Sequence, residues 1–243
     1  MEPLLQVRQL EKRFKDFVAV HDFHLTVQPG EIVAVLGPNG AGKSTMMRML
    51  AGLMEPSRGQ ITYLCHTFPD HMIEAKKQLG YLADQPMILP YLTGWEHIQF
   101  ISGLYSVSSK EIERRALPLV DRFCMAGAID KRATSYSHGM QQKLALITQL
   151  VHGPRILLAD EPTVGLDPAG ALEMQETFGE FAAEGNAVLI STHLLDMASQ
   201  LASRVVIMMK GRVIAEGNPR EWEDRHGESL QRIFLRLTAG TES

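Results

Sequence analysis

The 243-residue chain has few of the features that would narrow its chemistry at a glance. Its two cysteines, Cys65 and Cys124, are isolated, with no CxxC pair and no neighbouring His/Cys ladder, so neither a zinc site nor a disulfide framework is indicated. Plain packing is the expected role of both thiols. There is no positive excess either: 24 Lys and Arg stand against 28 Asp and Glu, and a net charge of -4 argues against a nucleic-acid partner held by phosphate neutralisation. Uninterrupted apolar runs extend no further than stretches such as Val205 to Met209, far below the roughly 18 residues of a membrane span. The opening residues, Met1 to Arg8, carry no basic cluster followed by an apolar stretch, so a cytosolic location is expected. What the chain does have is 45% apolar residues, 21% charged residues and a mean hydropathy of -0.06, the composition of a globular fold with a large core.

Periodicity divides this material into two kinds. Leu4 to Val7 and Phe23 to Val27 read as strands flanking a loop. Glu31 to Leu36, Ile156 to Ala159 and Ala187 to Ile190 are continuous apolar runs that stop at glycine or polar residues. Such runs are buried strands, and parallel sheets bind ligands at those polar ends. From about residue 93 to residue 150 the pattern is helical, with Ile112, Ala116, Leu119, Val120 and Phe123 on one face. Loops are expected at Leu82 to Pro86 and Ala133 to Tyr136, and a hairpin from Val205 to Ala215 about Lys210-Gly211. Residues from about 220 to 243 form a tail whose Leu230, Ile233, Phe234 and Leu237 share a helical face. With no repeat or linker, residues 1–243 read as one α/β domain with a helical insert.

Gly37, Pro38, Asn39, Gly40, Ala41, Gly42, Lys43, Ser44 and Thr45 match the phosphate-binding loop, placed after a strand and before a helix. The glycines let backbone N–H groups turn inward, and the helix start adds partial positive charge, so phosphate oxygens are favoured there. Lys43 would reach the β- and γ-phosphates of a nucleotide, and the Ser44 hydroxyl would hold Mg²⁺. Asp160 and Glu161 end a buried strand, where adjacent acids are costly unless paired or metal-bound. Asp160 suits the Mg²⁺ shell begun by Ser44, and Glu161 suits polarisation of a water for attack on the γ-phosphate.

With these in place, the order of motifs from Phe14 to about Pro219 resembles the nucleotide-binding subunit of ATP-binding cassette (ABC) transporters. Tyr136-Ser137-His138-Gly139-Met140 is similar to the family signature, Val164 to Asp167 to its D-loop, and Ser191-Thr192-His193 to its switch histidine. Ser137 and Gly139 open a helix-like stretch, where a hydroxyl and free amides favour an anion. Asp167 before Pro168 also reads as a helix N-cap with proline at the first position. Phe14 resembles the aromatic that stacks on adenine in the family.

The resemblance implies a P-loop ATPase with a RecA-like parallel core, an N-terminal antiparallel β-region and a helical subdomain. It implies hydrolysis of ATP with Mg²⁺ between two head-to-tail chains, each nucleotide held by Lys43 of one and Ser137 of the other, to drive a separate integral membrane permease. Catalytic roles then fall to Glu161, His193 and Lys43. The complete Ser137, Glu161 and His193 set suits a homodimer rather than a heterodimer, seated on the cytoplasmic face of the membrane. There are departures from the family pattern. Asp84 takes the usual place of the Q-loop glutamine and Gln85 lies one position later, leaving either as a possible Mg²⁺ ligand, while His138 and Met140 replace a signature glycine and glutamine. These resemble the bacterial export-type branch that includes the EcsA-like cassettes. The alternative is a non-transport ABC ATPase of ribosomes or DNA. It is disfavoured by a single phosphate loop and by the lack of a sustained heptad pattern between Lys43 and Asp160.

Overall fold

Ile32 to Leu36, Ile156 to Asp160 and Ala187 to Thr192 are buried at every position, which is why their apolar character is continuous rather than alternating. A computed structural model describes residues 2–239, so the last four residues of the expected tail lie outside the described residues. The chain begins with β1 (Leu5–Phe14), β2 (Phe17–Val27) and β3 (Ile32–Leu36), followed by α1 (Lys43–Leu50), β4 (Arg58–Tyr63), β5 (His66–Thr67), α2 (Met72–Lys77) and β6 (Leu79–Leu82). A helical segment holds α3 (Gly94–Leu104), α4 (Ser109–Arg122), a short 3-10 turn at Ala133–Ser135 and α5 (His138–Val151). The remainder runs β7 (Ile156–Asp160), α6 (Pro168–Ala183), β8 (Ala187–Thr192), α7 (Leu195–Leu201), β9 (Arg204–Met209), β10 (Arg212–Gly217), α8 (Pro219–His226) and α9 (Leu230–Ala239).

Two sheets result. The first is antiparallel in the order β2-β1-β4-β5, and the second runs β10-β9-β3-β8-β7-β6, parallel except for β10. The second sheet is covered on both faces. Val33, Val35, Leu158 and Leu189 face α1 and the antiparallel sheet, whereas Leu157, Ala159, Val188 and Ile190 face α5 and α6. A third apolar cluster joins Leu36 and Ile207 to α7 and to Leu230 of α9. The tail helix therefore packs on the sheet through the face read from its spacing. Among the described residues, no helix is long and apolar enough to cross a membrane.

Four expectations change. The loop expected between Leu4–Val7 and Phe23–Val27 is instead a continuous hairpin turning at Lys15-Asp16, and its two strands slip register at several points. Gln9 and Asp22 adopt positive φ there, and such bulges break the alternation that marks a strand. Leu82, expected to open a loop, instead ends an edge strand, Leu79–Leu82, paired with β7. Asp167 does stand at the N-cap of α6 with Pro168 behind it, but its side chain makes no cap hydrogen bond and pairs with Lys143 at 3.7 Å. Finally, Cys65 and Cys124 are exposed rather than packed.

Candidate active site

The carboxyl ends of β3, β7 and β8 converge on an open cleft of about 510 Å³. Its floor is the loop between β3 and α1, with Asn39 through Thr45 all lining it. Two glycines make that loop possible. A side chain at Gly37 would come within 2.4 Å of the Met208 carbonyl oxygen on the neighbouring β9. At Gly42, φ is +102° and a Cβ would lie 2.3 Å from the Ala19 carbonyl oxygen. Gly42 is also the N-cap of α1 and supplies no side-chain acceptor, so the first-turn amides remain available to an anion. Gly37 and Pro38 stand behind the cleft, and their carbonyls accept from Lys43 Nζ at 2.7 and 3.3 Å.

Asp160 and Glu161 part company at the end of β7. Asp160 is buried, and its Oδ1 accepts from the Ser44 hydroxyl at 3.3 Å and, closer still, from the Ser191 hydroxyl across the β7–β8 pairing. Glu161 sits at φ +49°, a left-handed conformation that costs a non-glycine residue about 1–2 kcal/mol. That turn swings its carboxylate into the cleft, where Oε2 lies 2.9 Å from Nδ1 of His193. A carboxylate can only accept, so Nδ1 of His193 is the donor. Burial lowers the pKa of Lys43, partly offset by the charges of Glu161 and Asp160. Burial also raises that of Asp160, opposed by the Ser191 and Ser44 hydrogen bonds and reinforced by the charges of Asp84 and Glu161. Both shifts mark groups short of a counter-charge, and an anion beside Lys43 with a cation beside Asp160 would relieve them.

Mg²⁺ suits this donor set. Ser44 Oγ and Asp160 Oδ1 are hard oxygen donors close together at the phosphate end, and Mg²⁺ usually takes one or two such ligands, with phosphate and water for the rest. Asp84 lines the same cleft, whereas Gln85 does not. Phe14 also falls outside the cleft lining: it ends β1 with Lys12 Nζ 5.3 Å from its ring centre, while its cross-strand partner Phe17 lines the cleft. Phe17 and Ser191 were not singled out for these contacts by sequence reasoning. The signal for Ser191 was a hydroxyl next to the last position of one strand, level with an acid ending its neighbour.

The signature segment lies elsewhere. Ser137 caps α5, its hydroxyl accepting from the Met140 amide at 3.3 Å, and none of Ser137, His138, Gly139 or Met140 lines the cleft. This segment packs instead on the loop holding Asp167. A Cβ at Gly165 would meet the His138 ring at 2.3 Å, and one at Gly139 would meet the Gly165 carbonyl oxygen at 3.0 Å.

A glycine-cradled phosphate loop, its lysine and a strand-end acid pair backed by a histidine define a P-loop ATPase. The ABC transporter family model matches residues 20–164. NatA of Bacillus subtilis, an ABC transporter ATP-binding protein, is 35% identical over 230 residues, covering 94% of this chain and 94% of its own. The daunorubicin resistance ATP-binding protein DrrA3 of Streptomyces coeruleorubidus is 34% identical, over 93% of this chain and 72% of its own. A solved structure described as an ATP binding subunit of an ABC transporter superposes with a TM-score of 0.91 at 33% identity, covering 97% of this chain and 99% of that one. The chain belongs to the ABC transporter family, as one of its ATP-binding, ATP-hydrolysing subunits.

Proposed function

We propose that this subunit binds ATP with Mg²⁺ in the cleft above Lys43, closes head-to-tail on a second copy of itself, and powers export through a separate integral membrane permease. The observation that carries the chemistry is the joining of Lys43, the Ser44–Asp160 pair and the Glu161–His193 pair at one cleft. Residues 1–243 act as a single cassette, with 93–150 as its helical subdomain. The head-to-tail pairing is supported by the separation of two anion-binding edges, since the capped start of α5 does not share the cleft of the same chain. Export is supported by the drug-resistance and Nod factor export names of relatives. A place on the cytoplasmic face of the membrane follows from work with a permease.

In this reading Lys43 exchanges its bonds to the Gly37 and Pro38 carbonyls for the β- and γ-phosphate oxygens. Ser44 and Asp160 would hold Mg²⁺, with Asp84 as a further carboxylate on the same cleft, and the ion would supply neutralisation of phosphate charge when bound. Glu161 orients a water in line with the γ-phosphate and accepts its proton, and His193 keeps the carboxylate aimed. The partner's Ser137 edge completes the phosphate contacts. Glu161→Gln tests the scheme: phosphate release should fall by about 10²-fold or more, while ATP binding persists and an ATP-dependent dimer accumulates on gel filtration. Unchanged turnover, or no dimer with ATP, would overturn it.

A further inference from the structure

Gln142 is one of several buried polar side chains among the described residues that have no part in that scheme. In the second turn of α5, it is fully buried on a helix whose other inward positions are Leu144, Leu146, Ile147 and Val151, plus Thr148, whose hydroxyl is satisfied by the Leu144 carbonyl at 2.7 Å. Its amide Nε2 donates to the carbonyl oxygen of Pro162 at 3.1 Å, whereas its Oε1 is buried with no hydrogen-bond partner. An orphaned amide oxygen in a core is unfavourable, and Met would fill the space without it. The orientation is also forced, because turning the amide over would set oxygen against oxygen. The contact thus comes at a cost that packing alone does not require.

Its target is the residue that follows Glu161. The left-handed backbone at Glu161 is held by its own N–H donating to the Ser191 carbonyl at 2.9 Å and by its carbonyl accepting from the Val164 amide at 3.2 Å. Gln142 reaches this turn from the helical segment. The helix that carries it starts at Ser137. We propose that Gln142 is a positioning residue for hydrolysis: it ties the start of α5 to the Glu161–Pro162 turn, so engagement of Ser137 by a nucleotide on the partner aligns Glu161 in the same chain. This rests on the catalytic reading of Glu161 given above.

Steady-state ATPase kinetics on the full chain test it. Gln142→Met keeps length and burial but loses the donor. It should leave the melting temperature and KM for ATP near wild type and lower kcat by about tenfold or more, the scale expected when a reacting group loses its alignment. Combined with Glu161→Gln it should add no further loss of single-turnover phosphate release, because no carboxylate remains to align. In Gln142→Glu, a protonated carboxyl can again donate to Pro162, so its kcat relative to wild type should rise as pH falls from about 8 to about 6. A Gln142→Met kcat within twofold of wild type overturns the proposal. So does an equal loss in the Glu161→Gln background, or a Gln142→Glu ratio flat with pH. If Glu161→Gln itself retains turnover, the catalytic reading fails instead, and the two failures are distinguishable.

Discussion

Arg122, the last residue of α4, grips three carboxylates on one face of α6: Nε to Glu173 at 2.8 Å, an Nη to Glu180 at 2.5 Å and the other Nη to Glu176 at 3.3 Å. Its own side chain is only 22% exposed, while the three glutamates are 38 to 65% exposed. Replacement by Met keeps the aliphatic stem and removes the fork. Contacts of this exposure contribute about 0.2–1 kcal/mol each. Without the guanidinium, the glutamates spaced three and four residues apart also repel by about 0.2–0.5 kcal/mol per pair. Together these give a loss of about 2 kcal/mol. In a chain of this size each kcal/mol shifts the melting temperature by about 2–4 °C, so Arg122→Met should melt about 4–8 °C below wild type in low-salt buffer. Calorimetry at about 1 M NaCl, where the Debye length falls to roughly 3 Å, should show a smaller gap. Neutralising the three glutamates in the Arg122→Met background should recover part of the loss. A melting point within 1 °C of wild type at low salt would refute the reasoning. A deficit that ignores salt would show that packing, not charge, joins α4 to α6.

Two further outcomes are expected. His152 caps the far end of α5, stacks on Tyr105 with ring centres 3.9 Å apart and lies 3.2 Å through Nε2 from the Leu79 carbonyl, while burial lowers its pKa to about 4. The native chain therefore holds this ring neutral while the unfolded chain takes up a proton below about 6.5, so stability falls as pH drops from about 6.5 towards 4, by about 3 kcal/mol in all. Urea midpoints across that range should fall less steeply in His152→Phe than in wild type, and equal slopes would rule out His152 as the source. For adenine, Phe17→Ala should weaken ATP binding by about three- to tenfold, the scale of one lost stacking contact. Phe14→Ala, whose ring already faces Lys12, should cost less by isothermal titration, and the reverse order would restore Phe14 as the platform.

Legibility followed the range over which each physical cause acts. The phosphate loop was readable because its requirement is local: backbone turning at Gly37 and Gly42, then Lys43 and Ser44 at a helix start, all within one short segment. The central strands were readable because burial on both faces leaves an uninterrupted apolar run. Bulges at Gln9 and Asp22 hid the length of the hairpin, and β6 was too short to show a period. The order of motifs alone indicates the family, and with it an ATPase. Only the tertiary structure could put Asp84 rather than Gln85 on the cleft wall, bring Ser191 onto Asp160 and swing Glu161 onto His193. It also put Phe17 rather than Phe14 at the cleft, and joined Gln142 to Pro162 across the core. Each of these contacts joins residues distant in the chain or depends on which way one side chain leaves the backbone. Sequence spacing constrains neither until the sheet has brought its strand ends together.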